Sequence, residues 1–107
     1  MSVSEIDVDQ LAGVMPSGPN VIDVREPDEY VAGHVPGAVL VPLATVPDSL
    51  GLFSAEGPTY LICLSGARSM RAAEYAAEAG FEVVNVAGGT KAWIESGRDV
   101  VTGDSPA

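Results

Sequence analysis

The sequence holds a single cysteine, a single histidine and only five lysines and arginines, against fifteen aspartates and glutamates. One cysteine excludes an internal disulfide. Without a C-x-x-C pair or a cysteine–histidine cluster, no zinc site is expected either. A formal net charge of -10 sets the chain against nucleic-acid phosphates and anionic lipid surfaces, so neither is an expected partner. No apolar run approaches the length of a membrane span. The opening residues, MSVSEIDVDQ, lack the basic stretch and apolar core of a secretory signal, so a cytoplasmic location is expected. Internal repeats and low-complexity segments are missing as well.

What is present is a chain of 107 residues, 47% hydrophobic and 19% charged, enough for one globular domain with its own core. Strands are expected at Val3–Ile6, Val21–Val24, Ala38–Val41, Thr59–Cys63 and Phe81–Val86, where apolar and β-branched residues cluster between turn residues. Helices are expected between them. One runs over Val8–Val14, N-capped by Asp7, and one starts at Pro27 and stops at Gly33. Others lie at Leu43–Leu50, at Ser69–Ala79 before Gly80, and in the GGTKAWIESG segment. Strands and helices alternate throughout, which predicts an α/β fold with a mainly parallel sheet and helices on both faces. Residues 99–107 are expected to form a loose tail.

The lone cysteine stands where one strand ends, in YLICLSGARSM. In open α/β sheets, ligands bind beyond the C-terminal ends of the strands. After Cys63, the small residues Gly66 and Ala67 let the backbone curl so that successive N–H groups point inward, and such a nest binds anions. The following helix turns its positive end to the same spot, and Arg68 is the one fixed positive charge in the loop. All three favour thiolate over thiol. Cysteines in such surroundings ionise at about 3.5–7.5, against about 8.5 for a free one. The bland alternative is a small core hydrophobe at a strand end; the strand, cysteine, glycine turn, arginine and helix in succession favour an activated nucleophile. The spacing from Cys63 to Arg68 is C-x4-R. Tyrosine-phosphatase-like loops need C-x5-R to close around a phosphate. The shorter loop makes a tighter pocket, suited to one extra sulfur atom.

At these residues the chain resembles the rhodanese-like sulfurtransferases, over nearly its whole length. Four blocks carry the resemblance. Asp23-Val24-Arg25-Glu26 with Glu29-Tyr30 is similar to D-V-R-E-x-x-E-Y, and Gly33 to Ala38 is similar to G-H-I-P-G-A. Cys63 to Ser69 matches C-x-x-G-x-R-S, and Gly88 to Trp93 matches G-G-x-x-A-W. The resemblance implies a three-layer fold around a five-stranded parallel sheet, occupying residues 1–98. It also implies transfer of sulfane sulfur from a donor such as thiosulfate, through a cysteine persulfide, to cyanide, a small thiol or a partner protein. Carried over, Cys63 is the nucleophile, and Leu64, Ser65, Gly66, Ala67 and Arg68 supply the substrate pocket.

Two departures qualify that expectation. Leu64 and Ser65 stand where members active on thiosulfate often carry basic residues, so thiosulfate is expected to be a poor donor. The absence of a second cysteine means the sulfur acceptor comes from outside the chain. No metal or organic cofactor is expected, and Gly88-Gly89 lacks the spacing of a dinucleotide-binding loop. Two rival readings are a non-catalytic interaction module and, less favoured by the loop spacing, an arsenate reductase or phosphatase on the same fold. Of the other conspicuous residues, His34 reads as a hydrogen-bonded turn histidine rather than a base, and Asp23 with Arg25 as a salt bridge. Trp93, Met70 and Tyr75 read as packing residues, and Glu26, Asp28 and Glu29 as a solvated helix face.

Overall fold

A computed structural model describes residues 3–107. Five strands form one sheet: β1 (Ser4–Ile6), β2 (Asn20–Asp23), β3 (Val39–Leu40), β4 (Thr59–Ile62) and β5 (Val83–Val86). Their order is β1-β5-β4-β2-β3, and every neighbouring pair is parallel. The helices are α1 (Val8–Val14), α2 (Pro27–Ala32), α3 (Ala67–Glu78) and α4 (Gly89–Glu95). The expected α/β architecture is the one observed.

Local chemistry explains the boundaries. The Asp7 carboxylate accepts from the Gln10 amide and the Gln10 side chain accepts from the Asp7 amide, each at 2.9 Å, which closes the N-terminus of α1. Leu43–Leu50, expected as one helix, is instead a 3-10 helix at Leu43–Asp48 followed by a 3-10 turn at Leu50–Leu52. Pro47 sits inside the first, where it has no N–H to give and its ring opposes α-helical continuation. The fifth strand begins at Val83 rather than Phe81, because the Phe81 amide closes the end of α3 on the Ala76 carbonyl.

Successive residues of the central strands face opposite ways. Ile22 and Leu61 join Val24, Cys63, Val83 and the alanines of α3 in one apolar cluster. Val21 and Ile62 join Val8, Leu11, Val35, Val86 and Trp93 in the other. The helix α3 therefore covers one face, and α1 with α4 cover the opposite one. Ala72, Ala73, Ala76 and Ala77 are all buried, so the axis of α3 lies close against β4 and β5.

The C-terminal residues, expected to be loose, are bonded back onto the domain. Val101 and His34 exchange backbone hydrogen bonds at 2.8 and 2.9 Å, Gly103 N–H donates to Val31, and Gly37 N–H donates to Pro106. His34 is fully buried, stacked on the Tyr30 ring at 3.6 Å, with its ring nitrogens 2.8 Å from the Tyr30 carbonyl and 2.9 Å from that of Ser105. Its structural reading stands, and the sequence lacked any sign of the tail as its partner.

Candidate active site

Cys63 follows β4 directly, at the C-terminal edge of the sheet, and is 1% exposed. The chain then turns through Leu64 and Ser65, both exposed, to Gly66. Gly66 has φ 110, a conformation that favours glycine, and it caps α3. That helix starts at Ala67, two residues before the expected Ser69, so Ala67 and Arg68 belong to its first turn rather than to the loop.

Two donors converge on the sulfur. The Gly66 N–H donates to Cys63 Sγ at 3.0 Å, and the Ser69 hydroxyl donates to it at 3.3 Å. Burial alone would push the Cys63 thiol up. The Ser69 hydroxyl, together with the amides of Ser69, Gly66 and Ser65, outweighs burial and holds the thiol below its ordinary value. Ser69 is itself fully buried, on the inner face of α3. Its role was not singled out from the sequence, although its place six residues after the cysteine, in a helix rich in alanine, is where such a signal lies.

The far side of the loop is braced by α4. Thr90 N–H donates to the Cys63 carbonyl at 2.8 Å and Lys91 N–H to the Leu64 carbonyl at 3.0 Å. With those carbonyls held outward by the start of α4, the loop amides are left to face the sulfur. Gly89 makes the approach possible. It has φ 59, and a Cβ there would lie 2.5 Å from the carbonyl oxygens of both Cys63 and Leu64. The glycine pair that lacks dinucleotide spacing thus serves close backbone packing.

Arg68 does not stand free as expected. It grips Glu29 of α2 through two parallel hydrogen bonds, so Glu29 is a partner of the loop rather than part of a solvated face. The Arg68 guanidinium holds the Glu29 carboxyl down to about 2, and Arg68 is raised in turn, first by that same bond to Glu29. Asp23 and Arg25 form the expected salt bridge, with Nη2 to Oδ2 at 2.8 Å, and Arg25 also donates to the Gly33 carbonyl. Both are buried, so the pair ties the end of β2 to the end of α2. Tyr75 is not a packing residue: it is exposed, and with Leu43, Val46, Pro47, Arg68 and Arg71 it lines a groove of about 510 Å³ along α3. Among the described residues, no cluster of His, Cys, Asp and Glu side chains is arranged to hold a metal ion. No described helix is long and apolar enough to cross a membrane.

The five-stranded parallel α/β fold that carries this cysteine loop is one that comparison with known proteins finds again. The rhodanese-like domain profile matches residues 7–96. The chain belongs to the rhodanese-like family. It is 31% identical over 102 residues to a sulfurtransferase of Allochromatium vinosum, covering 92% of this chain and 95% of that one. The crystal structure of a rhodanese-like domain protein from Staphylococcus aureus superposes with a TM-score of 0.85 at 32% identity, covering 94% of this chain and 99% of the other. Some relatives are longer. A stretch of 75 residues is 40% identical to a Bacillus subtilis protein of which the match spans 40%.

Proposed function

We propose that this protein is a sulfurtransferase that carries sulfane sulfur on Cys63. The observation that carries the reading is the convergence of the Gly66 N–H and the Ser69 O–H on a buried Sγ. Donors aimed at that point stabilise a thiolate before reaction and a negatively charged persulfide after it. In the first half-reaction the Cys63 thiolate attacks the outer sulfur of a donor such as thiosulfate. The donor's S–S bond breaks, and sulfite leaves with the bonding pair. In the second, cyanide, a small thiolate or a protein thiolate attacks the terminal sulfur. The new S–S bond breaks and Cys63 returns as thiolate, so no oxidant or reductant is consumed.

Leu64, Ser65, Gly66 and Ala67 form the wall around the transferred sulfur. Arg68 contributes to donor attraction only in part, because most of its charge is answered by Glu29. With neutral Leu64 and Ser65 beside it, thiosulfate is a poor donor, and a persulfide delivered by a partner protein is the better one. The groove along α3 beside Arg68 leaves room for such a partner. The reading agrees with the name of the Allochromatium vinosum relative.

The test is cyanide-dependent thiocyanate release, measured for the protein and for Cys63→Ser with two donors, thiosulfate and a cysteine desulfurase charged with cysteine. Turnover lost in Cys63→Ser, and faster with the desulfurase, is the expected result. No thiocyanate above the Cys63→Ser level with either donor would overturn the reading and leave a docking module.

A further inference from the structure

Strand β5 reads Val83-Val84-Asn85-Val86, and all four residues are buried. An asparagine in such a run is out of place unless its amide is used. Asn85 Nδ2 donates to the Gly66 carbonyl at 3.2 Å and to Glu5 Oε2 on β1 at 2.9 Å. Both neighbours are oxygens that accept, so the amide cannot be turned round. Its own oxygen is buried and has no hydrogen-bond partner among the described residues. Among the described residues the amide is thus used for its donors, one of them on Gly66, and not for its acceptor.

Gly66 is the residue where such a hold matters. Its N–H is one of the groups aimed at the sulfur, its φ is 110, and glycine resists rotation about φ and ψ less than any other residue. Its carbonyl receives two donors, the Met70 amide at 3.1 Å from within α3 and Asn85 from the sheet. The first binds the residue only to its own helix. The second ties it to β5, and through Glu5 to β1.

We propose that Asn85 is a positioning residue for sulfur transfer, holding the Gly66 carbonyl so that the Gly66 N–H stays directed at Cys63 Sγ. It touches neither donor nor acceptor and acts through Gly66. The proposal rests on Cys63 as the reacting thiol. The charged groups at this end of the molecule include Glu5 on β1, the Asp23–Arg25 pair after β2, Arg68 with Glu29 between α3 and α2, and Lys91 in the first turn of α4. Of these only Glu5 bonds to Asn85, so Glu5→Gln is measured beside the Asn85 variant: a midpoint that moves in Asn85→Val and stays in Glu5→Gln reports on the hold on Gly66, and equal movement in both overturns the proposal.

The test is the pH dependence of Cys63 alkylation by iodoacetamide in Asn85→Val, read beside thermal unfolding. Valine matches the strand and removes the buried oxygen while giving up the bonds to Gly66 and Glu5, so stability is expected to change little. The alkylation midpoint is expected to move up by about half to one pH unit. Hydrogen exchange at the Gly66 amide should quicken in the same variant. A purely structural role predicts the reverse, lower stability with an unmoved midpoint. Should Asn85→Val fail to fold, Asn85→Ser is read by the same midpoint. An unmoved midpoint in whichever variant folds overturns the proposal. Because alkylation needs no sulfur donor, the result is independent of whether the protein transfers sulfur.

Discussion

Arg68 and Glu29 meet through a two-pronged ion pair, Nη1 to Oε1 at 2.7 Å and Nη2 to Oε2 at 2.9 Å, which couples the first turn of α3 to α2 beside the cysteine loop. The pair cancels much of the charge that would draw an anionic donor. Glu29→Gln should therefore lower the KM for thiosulfate by about threefold, and Arg68→Ala should raise it. Steady-state kinetics at low ionic strength check both, and equal KM values in all three proteins would remove the pair from donor binding.

The same pair sets an acid-stability window. The Glu29 carboxyl is held at about 2 against an ordinary 4.5. A depressed carboxyl contributes stability that is complete above the unfolded value and is lost as pH falls through the folded one. Wild type should therefore unfold at a higher temperature than Glu29→Gln above about pH 4.5, and the two should converge toward pH 2. Thermal unfolding across that range reads the difference; parallel curves at every pH would contradict it.

Ser69→Ala removes the hydroxyl that donates to Cys63 Sγ but leaves burial intact. The thiol should ionise about one pH unit higher, since a hydrogen bond to a charged group contributes roughly 1.5–3 kcal/mol and part of it is recovered by the amides. Alkylation at pH 6 should slow several-fold, while the rate above pH 10 stays unchanged.

Gly89→Ala places a methyl group 2.5 Å from two carbonyl oxygens at a backbone position with φ 59. Backbone must shift, so a loss of about 2 kcal/mol or more is expected in denaturant unfolding. Because the shifted carbonyls belong to Cys63 and Leu64, sulfur loading should fall more than stability does. A stable, fully active Gly89→Ala would show that α4 need not lie against the loop.

His34 and the C-terminal residues stand or fall together. His34→Ala leaves the Tyr30 and Ser105 carbonyls without their ring partner and opens a cavity, with an expected cost of about 2–4 kcal/mol. Amides at Val101 and Gly103 should then exchange faster, while the alkylation midpoint of Cys63 stays where it is. A midpoint that moved would reinstate His34 as a partner of the thiol.

The sequence made the sheet, its parallel sense and the cysteine loop legible because each rests on local pattern: short β-branched runs, small-residue turns, and a thiol at a strand end. It missed what depends on distant chain meeting in space. Glu29 reads as solvated beside Glu26 and Asp28, and only the fold, which sets the start of α2 within side-chain reach of the first turn of α3, brings it to Arg68. The tail reads as loose because its acceptors are backbone carbonyls, which leave no trace in residue type. Asn85 was the missed signal within reach, a lone amide in an otherwise apolar strand. The start of α3 was set two residues late because the left-handed cap at Gly66 lets the helix begin inside the loop.

The central claim, that Cys63 carries the sulfur, is tested most directly by intact mass after incubation with a charged cysteine desulfurase. A gain of one sulfur atom is expected, removed by cyanide and absent from Cys63→Ser. An unchanged mass, or the same gain in Cys63→Ser, would contradict it.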